Sequence, residues 1–322
     1  MRARSQAIAS DPVAEEAARD LLLSGGSAVG AVLAGYFAVA GAYAGVLLAP
    51  ISVIVAGVGS GARAFDGRLR QPGRGTKRPR GFKQGDPIPD SARVAVPGSV
   101  AAALVAHAYD GGKSLGGIMK TGISRAERSG AASRASLLRR IRAVGAAALT
   151  EASFVRPLLH VAGPSQGGLV TPSDFGTASE LDQPAHERKY GGGTLAEPPW
   201  AADFEESTSD ELGIGGAVVA IDVRGVCAAL CYRRVVDGLP VDELEIEVPL
   251  VAVPVRRGVT RIAPGASLPA PTPIAVARER NGAPIEVIAT PGAARLDGSA
   301  LEAATLRLRR NPSTQEVQAL RA

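Results

Sequence analysis

The sequence predicts an α/β (α+β) fold in which sheet is layered against a buried helix, and three adjacent stretches carry that expectation. Ser10-Asp11-Pro12 followed by VAEEAARDLLLSGG reads as a capped helix. The run Leu21 to Ala62 contains no charged residue, and ISVIVAGVGSGARAFDGR reads as two strands joined by a glycine turn.

In the first stretch Asp11 is placed to cap, Pro12 to occupy the first turn and Gly25-Gly26 to stop the helix. In the second, Val29 to Ala49 is long enough for a transmembrane helix by length alone. Its composition argues otherwise, because Gly30, Gly35, Gly41 and Gly45 alternate with alanines where a lipid-facing helix would carry more Leu, Ile and Phe. The whole chain shares that character: 46% hydrophobic but only 4% aromatic, which calls for a tightly layered interior without bulky plugs. The third stretch is rich in β-branched residues, and GVGSG, Gly57 to Gly61, precedes a strand, which makes it a hairpin turn instead of a dinucleotide loop.

Further along, Arg63 to Lys83 carries eight basic residues against the single Asp66, and supplies much of the net charge of +5. It lacks the aromatic faces of a nucleic-acid platform, so it reads as a solvated basic loop and no nucleic-acid partner is expected. DGGKSLGG, Asp110 to Gly117, has His107 where a phosphate loop needs glycine. Ala132 to Leu149 reads as an amphipathic packing helix. VCAALCY reads as a strand, which puts Cys227 and Cys231 about 13 Å apart at about 3.3 Å per residue, too far to bond, so both are expected as buried thiols. His107, His160 and His186 lack metal-ligand spacing, so no metal and no cofactor are expected. DELEIEVPL, Asp242 to Leu250, sets Glu243, Glu245 and Glu247 along one face of an expected strand. Paired carboxylates there could act as acid and base, but a solvent-facing strand side is the simpler reading. The start of the chain turns acidic where a secretory signal would turn apolar, so a cytoplasmic location and no membrane association are expected.

Six stretches, in order, resemble gamma-glutamyltranspeptidases of the N-terminal-nucleophile (Ntn) hydrolase superfamily. They are DPVAEEAARDLLLSGGSAVGAVLAGYFAVAG; AFDGRLRQP; AVPGSVAAALVAHAYDGGKSL; GGLVTPSDF; AVVAIDVRGVCAAL; and PGASLPAPTPIAVARERNGAPIEVIATPGAARL. The resemblance implies a four-layer α-β-β-α sandwich, truncated relative to the family. It divides the chain into residues 1–202, similar to the family's large subunit, an acidic linker at 203–212, and residues 213–322, similar to the small subunit, together forming one sandwich domain. The run Ser27 to Gly59 then becomes an internal helix followed by a core strand.

In that family a threonine freed by self-cleavage attacks the gamma-glutamyl amide, with its own α-amine as base. Counting back from Asp222 along GIGGAVVAID places Gly215 at the nucleophile position, and glycine has no hydroxyl. Gly292 and Ala293 match the oxyanion-hole pair, whose backbone N–H groups do not depend on side chains. Pro269-Ala270 stand at the family's paired serines, and Arg68 matches the arginine that binds the substrate α-carboxylate. The resemblance thus implies a pseudoenzyme-like relative with no catalytic residue, which binds an amino-acid-like or gamma-glutamyl small molecule or serves as a subunit in a homo- or hetero-oligomer. The alternative is an active gamma-glutamyl transferase or amidohydrolase using a shifted nucleophile, Thr208 or Ser207. Thr208 lies upstream of Gly215 by roughly 20 Å of extended chain.

Overall fold

A computed structural model of the chain describes residues 4–77, 81–111, 114–176, 180–203 and 212–320. In chain order the regular elements are β1 (Gln6–Ala9), α1 (Pro12–Leu23), α2 (Ala28–Ala42), β2 (Ile51–Ala56), β3 (Ala62–Gly67), β4 (Gly81–Phe82), α3 (Ser99–Tyr109), α4 (Leu115–Arg128), α5 (Ala132–Val144) and α6 (Ala152–Ala162). There follow β5 (Asp182–Pro184), β6 (His186–Tyr190), β7 (Gly193–Glu197), β8 (Ile214–Ile221), β9 (Cys227–Arg234), β10 (Leu239–Val241), β11 (Ile246–Val248), β12 (Val255–Arg256), β13 (Ile274–Arg278), β14 (Pro284–Ala289), α7 (Gly298–Glu302), β15 (Leu306–Arg310) and β16 (Val317–Ala319).

Two six-stranded sheets form the centre, one in the order β1-β8-β9-β2-β3-β5 and the other β16-β15-β14-β13-β7-β6. Strand alternation sorts the first sheet's side chains into two layers. Val218, Ala220, Leu230, Tyr232, Ile51, Val53 and Phe65 pack beneath the helices. Ala217, Val219, Ile221, Cys227, Ala229, Cys231 and Ile54 face the second sheet, where Ile274, Val276, Val287 and Leu308 meet them. On the outer face of the second sheet Leu195, Ala275, Ala277 and Ile288 are covered by Leu296, Leu301 and Ala304, with Leu301 supplied by the five-residue α7. The order helices, sheet, sheet, helix is the four-layer sandwich, with its fourth layer cut to little more than one turn of helix.

The uncharged run sits at the centre of the helical layer. Ser27 caps α2 by accepting from the Gly30 N–H at 3.0 Å, and buried Asp222, at the end of β8, accepts from the Ala28 N–H at 3.2 Å. Every residue of α2 from Ala28 to Gly41 is buried, and its 15 residues span about 22 Å at 1.5 Å per residue. No helix among the described residues is long and apolar enough to cross a membrane. The glycines explain the composition: a Cβ at Gly41 would lie 1.9 Å from the Gly122 carbonyl oxygen, and one at Gly122 would lie 2.1 Å from that of Phe37. α2 and α4 therefore touch backbone to backbone.

The capped helix at Pro12, the hairpin through Gly57 to Gly61, the helix entered through Val96-Pro97-Gly98 and the strand holding both cysteines all form where the sequence places them. The packing helix expected over Ala132 to Leu149 forms as α5 but ends at Val144, where Gly145 takes a left-handed φ of 69° and Gly145–Thr150 turns into a 3-10 helix. Two further expectations need correction. The acidic stretch Asp242 to Leu250 is no single strand: Asp242–Leu244 forms a 3-10 turn, Glu245 takes a left-handed φ of 53°, and only Ile246–Val248 pairs. Glu245 instead accepts from the Ser133 N–H at 2.7 Å and holds α5. The basic stretch is only partly solvated. Lys77 and Lys83 are exposed, but Arg68 and Arg70 are buried, because the chain leaving β3 dives between the sheet and the segment around Ser267.

Candidate functional site

The residues matched to the family's site converge at one end of the first sheet, on the face turned toward the second. Gly215 pairs with Arg233 on β9, Cys231 with Ser52 on β2, and Ser52 with Asp66 on β3. Two-residue alternation aims the side chains of Arg233, Cys231, Ser52 and Asp66 into the space between the sheets, together with the place a side chain at Gly215 would fill. Gly215 and the Arg68 segment lie three strands apart, about 14 Å at about 4.8 Å per step.

At Gly215 the space for a side chain is already taken. A Cβ there would lie 2.8 Å from the Gly292 backbone nitrogen and 2.8 Å from Arg233 Nη1. The bend after Thr290 and the arginine on the neighbouring strand close over the glycine, and Arg233 also donates to the Gly213 carbonyl. On the opposite face, Tyr232 lies over Gly216, its ring carbon 2.2 Å from where a Cβ would stand. Of the two residues matched to the oxyanion hole, Gly292 presents its nitrogen toward Gly215 with φ at 93°, a backbone state that glycine adopts without strain. The Ala293 N–H is engaged in the bend itself, donating to the Thr290 carbonyl at 3.0 Å.

Arg68 is held from three sides. Its Nε and Nη2 donate to the two carboxylate oxygens of Asp66 at 3.0 and 3.1 Å, its Nη1 reaches Asp203 at 3.4 Å, and its plane lies 5.1 Å from the Trp200 ring centre. Ser267 adds a hydroxyl to Asp66 at 3.1 Å. Burial pushes the Asp66 carboxyl up, but the hydrogen bonds and charge of Arg68 outweigh it and hold the group below the usual carboxylate value. The guanidinium fork that could grip a ligand carboxylate is thus occupied from within, and only the Nη1 edge, beside the largely exposed Asp203, faces outward. Trp200 is fixed in turn by donating to Ser52 Oγ at 2.9 Å, and Ser52 lies 3.4 Å from Thr272 Oγ1.

Pro269 is exposed and Ala270 buried beside Leu69, Leu212 and Leu268. Ser207 and Thr208 lie outside the described residues, as do Gly112 and Lys113 of the glycine-rich stretch. The flanking residues Asp203 and Leu212 both border the Arg68 segment, the first through Arg68 and the second as a member of the small apolar cluster that includes Leu69. Among the histidines, His160 faces Glu243 at 3.4 Å on the surface and His186 lies exposed on β6. No group of three or more His, Cys, Asp or Glu among the described residues is arranged to hold a metal. Sequence reasoning missed Trp200, Arg233 and the capture of Arg68 by Asp66. Residues two apart at a strand end can share a face, but local pattern does not show the burial that ties these two.

No family profile matches the sequence, and no curated protein matches it. Solved structures do. A substituted form of LmbA2991 superposes with a TM-score of 0.73 at 13% identity, over 98% of this chain and 96% of that one. Cephalosporin acylase from Bacillus halodurans gives 0.59 at 14% identity, over 77% of this chain and 69% of that one. The gamma-glutamyltranspeptidase of Helicobacter pylori overlaps less, at 0.46 and 18% identity, over 62% of this chain and 75% of that one. Layer order, sheet topology and the superpositions on LmbA2991 and the acylase agree: the chain has the four-layer α-β-β-α sandwich that the sequence led us to expect.

Proposed function

We propose that the protein is a gamma-glutamyltranspeptidase-like member of this fold that has lost the nucleophile and works as a ligand-binding or partner subunit. The observation that carries the reading is at Gly215. Nucleophilic catalysis needs an oxygen at that place and room for a tetrahedral centre beside it. Instead the Gly292 nitrogen and Arg233 Nη1 occupy the volume in which even a first side-chain carbon would sit. With Ala293 committed to the bend, a single backbone donor remains where two are needed. Any ligand carboxylate would approach the outer edge of Arg68 and take the place of Asp203. Residues 1–202 and 213–322, joined by the acidic linker at 203–212, then act as one uncut polypeptide, since the position matched to the self-cleaving threonine is Gly215.

The second reading, an active transferase or amidohydrolase, is favoured by one feature: both ends of the linker that carries Ser207 and Thr208 abut the Arg68 segment. Intact-mass measurement of freshly purified protein, with a gamma-glutamyl anilide assay at high protein concentration, separates the two. A single full-length mass and no released chromophore are expected. Two fragments meeting between 203 and 215, or turnover abolished by Thr208→Ala, would reverse the assignment.

A further inference from the structure

Outside the sheets, between α3 and the 3-10 turn Gly145–Thr150, lies a cavity of about 740 Å³, a size typical of small-molecule sites. Its walls include Leu104, Val105, Leu149, Phe175 and Leu181, and Arg70 lines it as well. Arg70 is only 9% exposed. Its Nε is buried without a hydrogen-bond partner, and among the described residues its guanidinium forms no ion pair. The acids nearby are engaged elsewhere. Asp66 attracts Arg70 from a distance, but its two oxygens are gripped by Arg68. Asp174, on the cavity wall, accepts from the backbone N–H groups of Gly73, Arg74 and Thr171 at 2.8 to 3.1 Å. Arg68 and Arg74 meanwhile repel Arg70, and burial pulls its proton affinity down from the usual guanidinium value. A guanidinium keeps its proton in proteins, so the molecule carries a buried cation whose desolvation the more distant Asp66 offsets only in part.

We propose that this cavity binds an amphipathic monocarboxylic acid, with the carboxylate on Arg70 and an aliphatic tail along the wall formed by Leu104, Val105, Leu149 and Phe175. A largely apolar cavity with the buried Arg70 cation unpaired, and the half-buried Arg74 on the same wall, selects a ligand with an anionic end and a long apolar body, because a small hydrophilic anion leaves the walls wet and a neutral apolar molecule leaves the charge unmet. The site is separate from the Arg68 edge, and the proposal does not depend on whether the protein is catalytic.

The test is calorimetric titration of the full chain with decanoate and, in parallel, with decan-1-ol. Decanoate is expected to bind at one site per chain at least tenfold more tightly than the alcohol. Arg70→Met, confirmed folded by circular dichroism, is expected to weaken decanoate at least tenfold while leaving the alcohol within twofold. Ala101→Trp, which narrows the cavity from α3, is expected to weaken both. Absence of decanoate binding, equal affinity for acid and alcohol, or unchanged decanoate affinity in folded Arg70→Met overturns the proposal. Should Arg70→Met not fold, wild-type decanoate affinity in Ala101→Trp overturns it equally.

Discussion

Asp66 and Arg68 show how a residue matched to a ligand-binding role can be absorbed into structure. The pair is bidentate, almost fully buried, and braced by Trp200 and Ser267. Because the folded-state Asp66 carboxyl titrates below its unfolded value of about 3.9, its contribution to stability is fully present above that value and is lost as pH falls through the lower folded value. Asp66→Asn removes the charge while keeping the shape. It is expected to cost about 3 kcal/mol near neutral pH, the low end for breaking one side of a buried pair, and to flatten the stability profile below about pH 4. Urea unfolding of both proteins between pH 3 and pH 7 checks this. A variant with the same acid sensitivity as the parent would assign the pH dependence to other carboxylates. In the sequence Arg68 stood out through its match and Asp66 only as the lone acid of a basic run. What ties them, a strand end buried under residues some two hundred positions later, is a tertiary fact that local pattern does not carry.

Among elements, α2 was the most legible, since an uncharged, glycine-laced run bounded by Ser27 and a turn admits few structures besides a buried helix. The acidic stretch after Leu239 was least legible. Alternating Glu and apolar residues satisfy the period of a strand, but Glu245 is drawn into capping α5 and the chain turns there instead. Composition flagged the glycines of α2 without saying what they touch. The answer is α4, whose Gly122 lets the two backbones meet. Gly122→Ala would force a Cβ to within 2.1 Å of the Phe37 carbonyl oxygen, with main chain on both sides and no side chain to yield. A loss of about 3 kcal/mol, the upper end of usual overpacking costs, is expected. Gly117→Ala in the same helix meets only Leu21 Cδ1 at an ordinary 3.6 Å, and it should gain up to about 0.8 kcal/mol from helix propensity. Equal effects of the two substitutions in denaturant titrations would show that α4 does not seat against α2 as described.

At the scale of the molecule, the layer between the sheets decides whether the end that holds Gly215 can open. Cys227 and Cys231 lie in that layer on β9, an interior strand of the first sheet, as unbonded thiols. Burial pushes Cys231 up to about 12, and raises Cys227 further, so neither presents a reactive thiolate while the sheets are closed. The two differ in position. Cys227 is fully enclosed, whereas Cys231, 5% exposed, sits one alternation inward from Arg233 and the Gly292 bend. If those two groups seal the end as tightly as their approach to Gly215 implies, a thiol reagent gains access only when the sandwich comes apart. Labelling of both cysteines in increasing urea should then follow one free energy and one denaturant slope, equal to those of global unfolding. A Cys231 that reacts through an opening with a much smaller slope, while Cys227 waits for global unfolding, would mean that the bend lifts off Gly215 in the native protein. The closed geometry on which the proposed loss of catalysis rests would then be one member of an equilibrium, and the mouth between the sheets would be open to a ligand after all.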